Sequence, residues 1–314
     1  MKTKIDADEI NLMTLAREYS DEAKARALFE SWRWPNGPVC PHCKHNEVYS
    51  ITSKANTKTA NKARPGLYCC AACRKTFTAT VGTVLEDSHI PLSKWVMAIF
   101  ILCSSKKAVS ALQLSRMLGL TYKSAWFMAH RIRFSMGDDK SKKLSGVIEV
   151  DETFVGGKGD RATKLSRKTP VVALIEQDGN MKARVVPNVS QKNLGQVLRE
   201  CVNKDSVICT DEHGAYRNPG KEFKAHHAVV HSKYEYVLKT PDGISASTNH
   251  CESFFALLKR GVHGAWHNVS REHLPKYVNE FAFRWNTRKM TDGARLAAAI
   301  PMIEGKRLTY RQMA

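Results

Sequence analysis

The sequence predicts an α/β protein: a mixed sheet with flanking helices, preceded by a small cysteine-held ribbon and a pair of short helices. Three observations carry this. Residues 147–210 run strand, strand, strand, helix, strand, the order of an α/β domain with a mixed sheet. Four cysteines stand as two C-x2-C pairs, "CPHC" (Cys40, Cys43) and "CAAC" (Cys70, Cys73). Between these regions lie helical segments broken at Gly119.

The elements follow in order. In "DEAKARALFESWRW" (21–34) Ala23, Ala27, Leu28 and Trp32 have helical spacing, and Pro35 and Gly37 end the run, giving an N-terminal helical segment over 1–36. Residues 37–80 read as a ribbon. Each C-x2-C knuckle presents two thiolates from one tight turn, and two knuckles complete a tetrahedral sulfur shell, so structural Zn²⁺ is expected at Cys40, Cys43, Cys70 and Cys73. Cys69 is a substitute for Cys70, with His42 or His45 weaker ones. The gap between the pairs holds a polar basic loop, residues 53–66.

Residues 81–136 read as helical. "WVMAIFILC" (95–103) is nine residues long, against the ~20 a spanning helix needs, and reads as a buried helix. In 110–134 a helix, a break at Gly119, a cap at Thr121 and a second helix with Lys123, His130, Arg131 and Arg133 outline a helix-turn-helix for DNA. Residues 137–145 form a linker, 146–290 the sheet domain, and 291–314 a C-terminal tail. Forty-nine Lys and Arg against thirty Asp and Glu give a net charge of +19, which points to a polyanionic partner, nucleic acid first. The opening residues carry no apolar signal segment, so a cytoplasmic, nucleoid-associated protein is expected, and its nine cysteines read as metal ligands or free thiols. No membrane partner is expected.

The chemistry is written at strand ends. In "SGVIEVDETFVGG" (145–157) the alternation puts Ile148, Val150, Glu152 and Phe154 on one face and Val147, Glu149, Asp151 and Thr153 on the other. Asp151 thus falls on the more polar face. "VICTDEHGAY" repeats the pattern: an apolar strand ends in Asp211 and Glu212. In "STNHCESFFALLKRG" (247–261) Glu252 and Lys259 share a helix face, and Asn249 stands a turn earlier. Asn249 with Glu252 also reads as a capping box. Three carboxylates brought together from two strands and a helix can hold two Mg²⁺ ions, about 3.5–4 Å apart in such sites.

These stretches, with "RWPNGPVCPHC", "CRKTFTATVGT", "LSKWVMAIF", "SALQLSRMLGLTYKSAW", "EVDETFVGGK", "TDEHGAY" and "NHCESFFALLKRGVHGAWHNVSREHLPKYVNEFAFRWN", make the chain resemble bacterial insertion-sequence transposases with an N-terminal zinc ribbon and an RNase H-like DDE catalytic domain. The resemblance implies that Asp151 and Asp211 are the first two catalytic acids. It gives Glu252 with Lys259 as the E-x6-K third position, with Asn249 as its rival. Mg²⁺ or Mn²⁺ would be held by Asp151, Asp211 and Glu252, with Lys259 and Arg260 on DNA phosphates. It further implies binding of the terminal inverted repeats, hydrolysis at each element end, attack of the freed 3′-OH on target DNA, and a homodimer or larger assembly when two ends are paired. The alternatives are an RNase H-like nuclease without strand transfer and a non-catalytic DNA-binding derivative.

Four further features complete the reading. Lys158, Arg161, Lys164, Arg167 and Lys168 form a basic loop suited to phosphate. His226, His227 and His231 read as surface or DNA-facing. Leu274, Tyr277, Val278, Phe281, Ala282 and Trp285 read as one buried helix face, and Trp266 as structural.

Overall fold

A computed structural model describes residues 6–51, 65–138, 141–156, 168–177, 179–230, 237–240 and 243–312. The loop cations Lys158, Arg161, Lys164 and Arg167, His231, and most of the basic loop between the cysteine pairs lie outside these. Two compact units form: Met1–Ser105 with Val109–Met136 and Met290–Ala314, and Lys106–Ala108 with Gly137–Lys289.

In the first unit α1 (Leu12–Glu18) and α2 (Glu22–Arg33) start at Asn11 and Asp21, whose side chains accept the N–H groups of Thr14 and Lys24. The expected helix is α2, but its buried face is Ala25, Leu28, Phe29 and Arg33, turned from the one read in the sequence. Strands β1 (Val48–Ser50), β2 (Tyr68–Cys70) and β3 (Thr76–Phe77) make an antiparallel ribbon. Helix α3 (Leu92–Ser104) is buried on most of its surface, as its apolar run requires. No side chain of its own caps it. Instead the Glu22 carboxylate accepts the N–H groups of Leu92 and Ser93 at 2.7 and 3.0 Å.

Helices α4 (Ala111–Leu118) and α5 (Tyr122–Ser135) follow the expected outline. Ser110 and Thr121 cap them, and Gly119 closes α4 at φ 57°, a left-handed conformation that glycine adopts without strain. The stretch read as a tail, 291–314, folds into this unit. Its helix lies close enough to the 3-10 turn at Ala7–Glu9 that a Cβ on Gly293 would come within 1.9 Å of the Ala7 carbonyl. Beyond it Leu296, Ala299, Ile300 and Ile303 are buried, and Glu304 meets the buried Arg33 guanidinium at 2.6 Å.

The second unit is a five-stranded sheet. Its strands are β4 (Val147–Val155), β5 (Thr169–Glu176), β6 (Met181–Val185), β7 (Val207–Thr210) and β8 (Ala225–Ala228), in the order β6-β5-β4-β7-β8. β4 is antiparallel to β5 and parallel to β7, and β7 is parallel to β8. This mixed sheet with helices on both faces is an RNase H-like fold. Helix α6 (Gln191–Cys201) joins β6 to β7, and α7 (Arg217–Gly220) precedes β8. A two-strand hairpin, β9 (Leu238–Lys239) and β10 (Ser245–Ala246), leads to α8 (Asn249–Gly261), a π-helical turn (Val262–Trp266) and α9 (Leu274–Asn286); α10 (Asp292–Ala299) is the helix of the first unit described above.

Side-chain alternation divides two cores. Ile148 and Val150 of β4, with Val172 and Leu174 of β5, pack beneath α6. Val171, Ala173 and Ile175 pack beneath α8 and α9, where the six expected α9 residues are all buried and Trp266 lies 4.3 Å from the Tyr277 ring. The face of β4 read as polar is therefore covered: Glu149 and Thr153 are 0% and 6% exposed.

Candidate active site and metal centre

In the ribbon the two knuckles repeat one backbone solution. Lys44 N–H donates to the Cys40 carbonyl and Arg74 N–H to the Cys70 carbonyl. The residue after each pair is left-handed, φ 63° at Lys44 and 59° at Arg74. Cys40 Sγ lies 3.7 Å from Cys73 Sγ, and Cys43 Sγ 3.5 Å from Cys70 Sγ. A regular tetrahedron with Zn–S of about 2.3 Å has edges of about 3.8 Å. Among the described residues these four are the His, Cys, Asp or Glu cluster whose ligand atoms all lie within 4.8 Å of one another. Hydrogen bonding, led by the Cys73 backbone N–H, lowers the Cys70 thiol to about 6. Against a backbone hydrogen bond at His45, desolvation and the three other thiols push Cys43 up to about 12. Four thiols so close together can all ionise only around a cation, and Zn²⁺ fits this donor set. Cys69 points its thiol at the Cys70 and Arg74 carbonyls instead.

The acidic centre grows from register. The parallel ladder pairs Val147 with Val207, Ile148 with Ile208 and Glu149 with Cys209. Two residues beyond this ladder stand Asp151, in the middle of β4, and Asp211, the residue that follows the last residue of β7. Asp151 lies on the α8 face and Glu152 on the α6 face. Burial, opposed by the Glu152 backbone N–H at 2.7 Å and reinforced by the charges of Glu152, Asp211 and Glu252, raises the Asp151 carboxyl to about 7. That influence ties the first strand, the second strand and α8 to one locus. Asp211 accepts the His213 N–H at 3.1 Å, which folds the chain sharply after β7.

Glu152 is engaged elsewhere: the buried Tyr216 hydroxyl donates to its Oε2. Desolvation raises its carboxyl and Tyr216 opposes the rise. Glu252, Asn249 and Lys259 are all exposed on α8. The capping box read there does not form. Asn249 is the first helical residue, Thr248 occupies the cap position without a side-chain cap hydrogen bond, and the N–H of His250 is taken by Glu149 of β4. Among the described residues no three acidic groups bring their oxygens within 4.8 Å of one another.

Two residues were missed in the sequence: Glu149, which alternation had placed on the Asp151 face, and Tyr216, hidden in a turn.

Several cations expected to face DNA do not. His130, Arg131 and Arg133 are 0%, 6% and 1% exposed, because the later turns of α5 lie in the core beside α3. Arg131 donates to the Glu86 carbonyl and lies over the Trp95 and Phe127 rings. Lys123, Tyr122, Gln113 and Arg116 remain exposed on the helix pair. His226 is half-buried in β8, its Nε2 2.9 Å from Thr210 Oγ1, and burial lowers its pKa.

A zinc ribbon and an RNase H-like domain with acids on the neighbouring strand β4 and just after β7 define the class of insertion-sequence DDE transposases. Residues 143–286 match the ISXO2-like transposase domain and residues 20–76 the transposase zinc-ribbon domain. An uncharacterized protein in transposable element ISH50 of Halobacterium salinarum is 27% identical over 289 residues, 85% of this chain and 92% of that protein. Both matched segments are thus similar to domains of IS1595-type transposases.

Proposed function

We propose that this chain binds the ends of its own insertion sequence, cuts one phosphodiester at each end and joins the freed 3′-OH to target DNA. The observation that carries the proposal is the Asp151 carboxyl raised to about 7 by burial with Glu152, Asp211 and Glu252 around it. At neutral pH carboxyls gathered in this way either keep a proton or take up a cation, and hard oxygen donors favour Mg²⁺ or Mn²⁺.

Asp151 and Asp211 would hold the ions with Glu252, and the bound ions would supply charge neutralisation for in-line displacement at phosphorus. Glu252 is preferred to Asn249 because a carboxylate brings charge to a hard divalent ion that the neutral amide does not. Lys259 and Arg260, both exposed on the same helix, would hold phosphates and orient the strand. The helix-turn-helix contributes Tyr122, Lys123, Gln113 and Arg116 to end recognition. Pairing two ends calls for at least a homodimer.

The test is nicking of DNA that carries the sequences flanking this gene, in Mg²⁺. The unaltered protein nicks at the element ends. Asp151→Asn and Glu252→Gln bind the ends and leave them uncut, whereas Asn249→Ala retains nicking. Uncut DNA with every protein, the unaltered one included, overturns the proposal.

A further inference from the structure

Glu149 stands two residues before Asp151 on the same face of β4, and its carboxylate is fully buried beneath the first turn of α8. Both of its oxygens are occupied. Oε1 accepts the Ser247 hydroxyl at 2.7 Å and meets His250 Nδ1 at 2.9 Å; Oε2 accepts the His250 backbone N–H at 2.9 Å. With a carboxylate as acceptor, the hydrogen shared with the imidazole sits on Nδ1. The next residue, Cys251, rests its Sγ 3.5 Å from the Glu149 carbonyl and 3.8 Å from that of Ala173, the β5 residue paired with Asp151.

We infer that Glu149 is a positioning residue: it caps α8 from outside the helix and fixes the first turn, with Glu252 on it, against the strand that carries Asp151. The inference rests on the reading of Asp151, Asp211 and Glu252 as the metal-holding set. Successive residues of a helix are turned by about 100°, so a small rotation of this turn swings Glu252 away from Asp151. Burying a carboxylate is unfavourable unless donors surround it, and an apolar residue fills such a position more readily. An apolar residue, however, leaves the Ser247 hydroxyl and the His250 N–H without their acceptor and lets the turn shift. Neither Glu149 nor His250 need touch substrate or ion for this role.

The experiment uses the full zinc-loaded chain and Glu149→Gln, which keeps the size of the side chain and removes one acceptor. Two quantities are read: Mn²⁺ binding without DNA, followed by the electron paramagnetic resonance of free Mn²⁺, and the Mg²⁺ concentration that half-saturates nicking of the element ends. Glu149→Gln is expected to weaken Mn²⁺ binding and raise the Mg²⁺ requirement by about 10–100-fold, as loss of a ligand-orienting partner does, with end binding and zinc content unchanged. His250→Ala, which removes only the imidazole contact of a side chain 41% exposed, shifts both in the same direction by less, and it decides the question if Glu149→Gln does not fold. Unchanged Mn²⁺ affinity and Mg²⁺ requirement overturn the assignment, as does loss of nicking at every Mg²⁺ concentration with Mn²⁺ affinity intact. If the unaltered protein does not nick the ends, it is the transposase reading that fails, and the Mn²⁺ isotherms still decide the role of Glu149.

Discussion

Burial makes Asp151 hold its proton to a higher pH than most aspartates do. Its carboxyl is raised to about 7, from a free value of about 3.9, first by burial and then by neighbouring charge. Between those values the unfolded chain has released a proton that the folded chain keeps. Without a divalent cation, stability therefore falls as the pH rises through this window and does not recover above it. Asp151→Asn removes the cost. Its melting temperature in chelator at pH 8 is expected to exceed that of the unaltered protein by a few degrees, with the difference vanishing towards pH 4; an equal or lower value at pH 8 contradicts the electrostatics described here. Asp151 was legible because a strand ending in acid and glycine is a local pattern. Glu149 was not: its donors, Ser247 and His250, lie 98 and 101 residues away, and in the strand pattern it reads as the polar half of an alternation.

Strands β4 to β7 and helices α6, α8 and α9 of the second unit were legible for the same local reason, β4 to the residue, whereas α7, β8 and the β9–β10 hairpin carry no such pattern. The ribbon was legible from cysteine spacing alone. Its strands are three, three and two residues long, too short to hold without a metal. Stripping one zinc per chain with a chelator is expected to remove amide protection from β1–β3 while the buried helix α3 keeps its own; protection of the ribbon that survives zinc loss contradicts this. Helix α5 shows where such reading stops. Its cations follow no amphipathic pattern, and the apolar surface of α3, set by another part of the chain, decides which of them are buried. Arg131→Ala should thus cost about 2–3 kcal/mol of stability, through lost hydrogen bonding and packing, and leave the salt dependence of DNA binding unchanged. Lys123→Ala should do the reverse, lowering the salt slope by about 1 with little change in melting temperature. A weaker salt dependence in Arg131→Ala would return that side chain to the DNA surface.

The net charge of +19 makes DNA affinity of the whole chain steeply salt-dependent, since each neutralised phosphate releases counterion. Charge gives attraction without choice of reaction. Sequence order also leaves unsaid how distant segments combine: 290–314 joins the N-terminal unit because Leu296, Ile300 and Ile303 need a core and the buried Arg33 needs the Glu304 carboxylate, and no local pattern announces either. Among the described residues no helix is long and apolar enough to cross a membrane. What separates a transposase from a nuclease with the same acids is strand transfer. The most direct measurement supplies pre-cut element ends with free 3′-OH groups and a target plasmid, in Mg²⁺, and sequences the junctions. Ends joined to target by the unaltered protein, with no junctions from Asp211→Asn, are the predicted result. Ends that are bound and nicked when intact, yet never joined when pre-cut, would contradict the account and leave an RNase H-like nuclease.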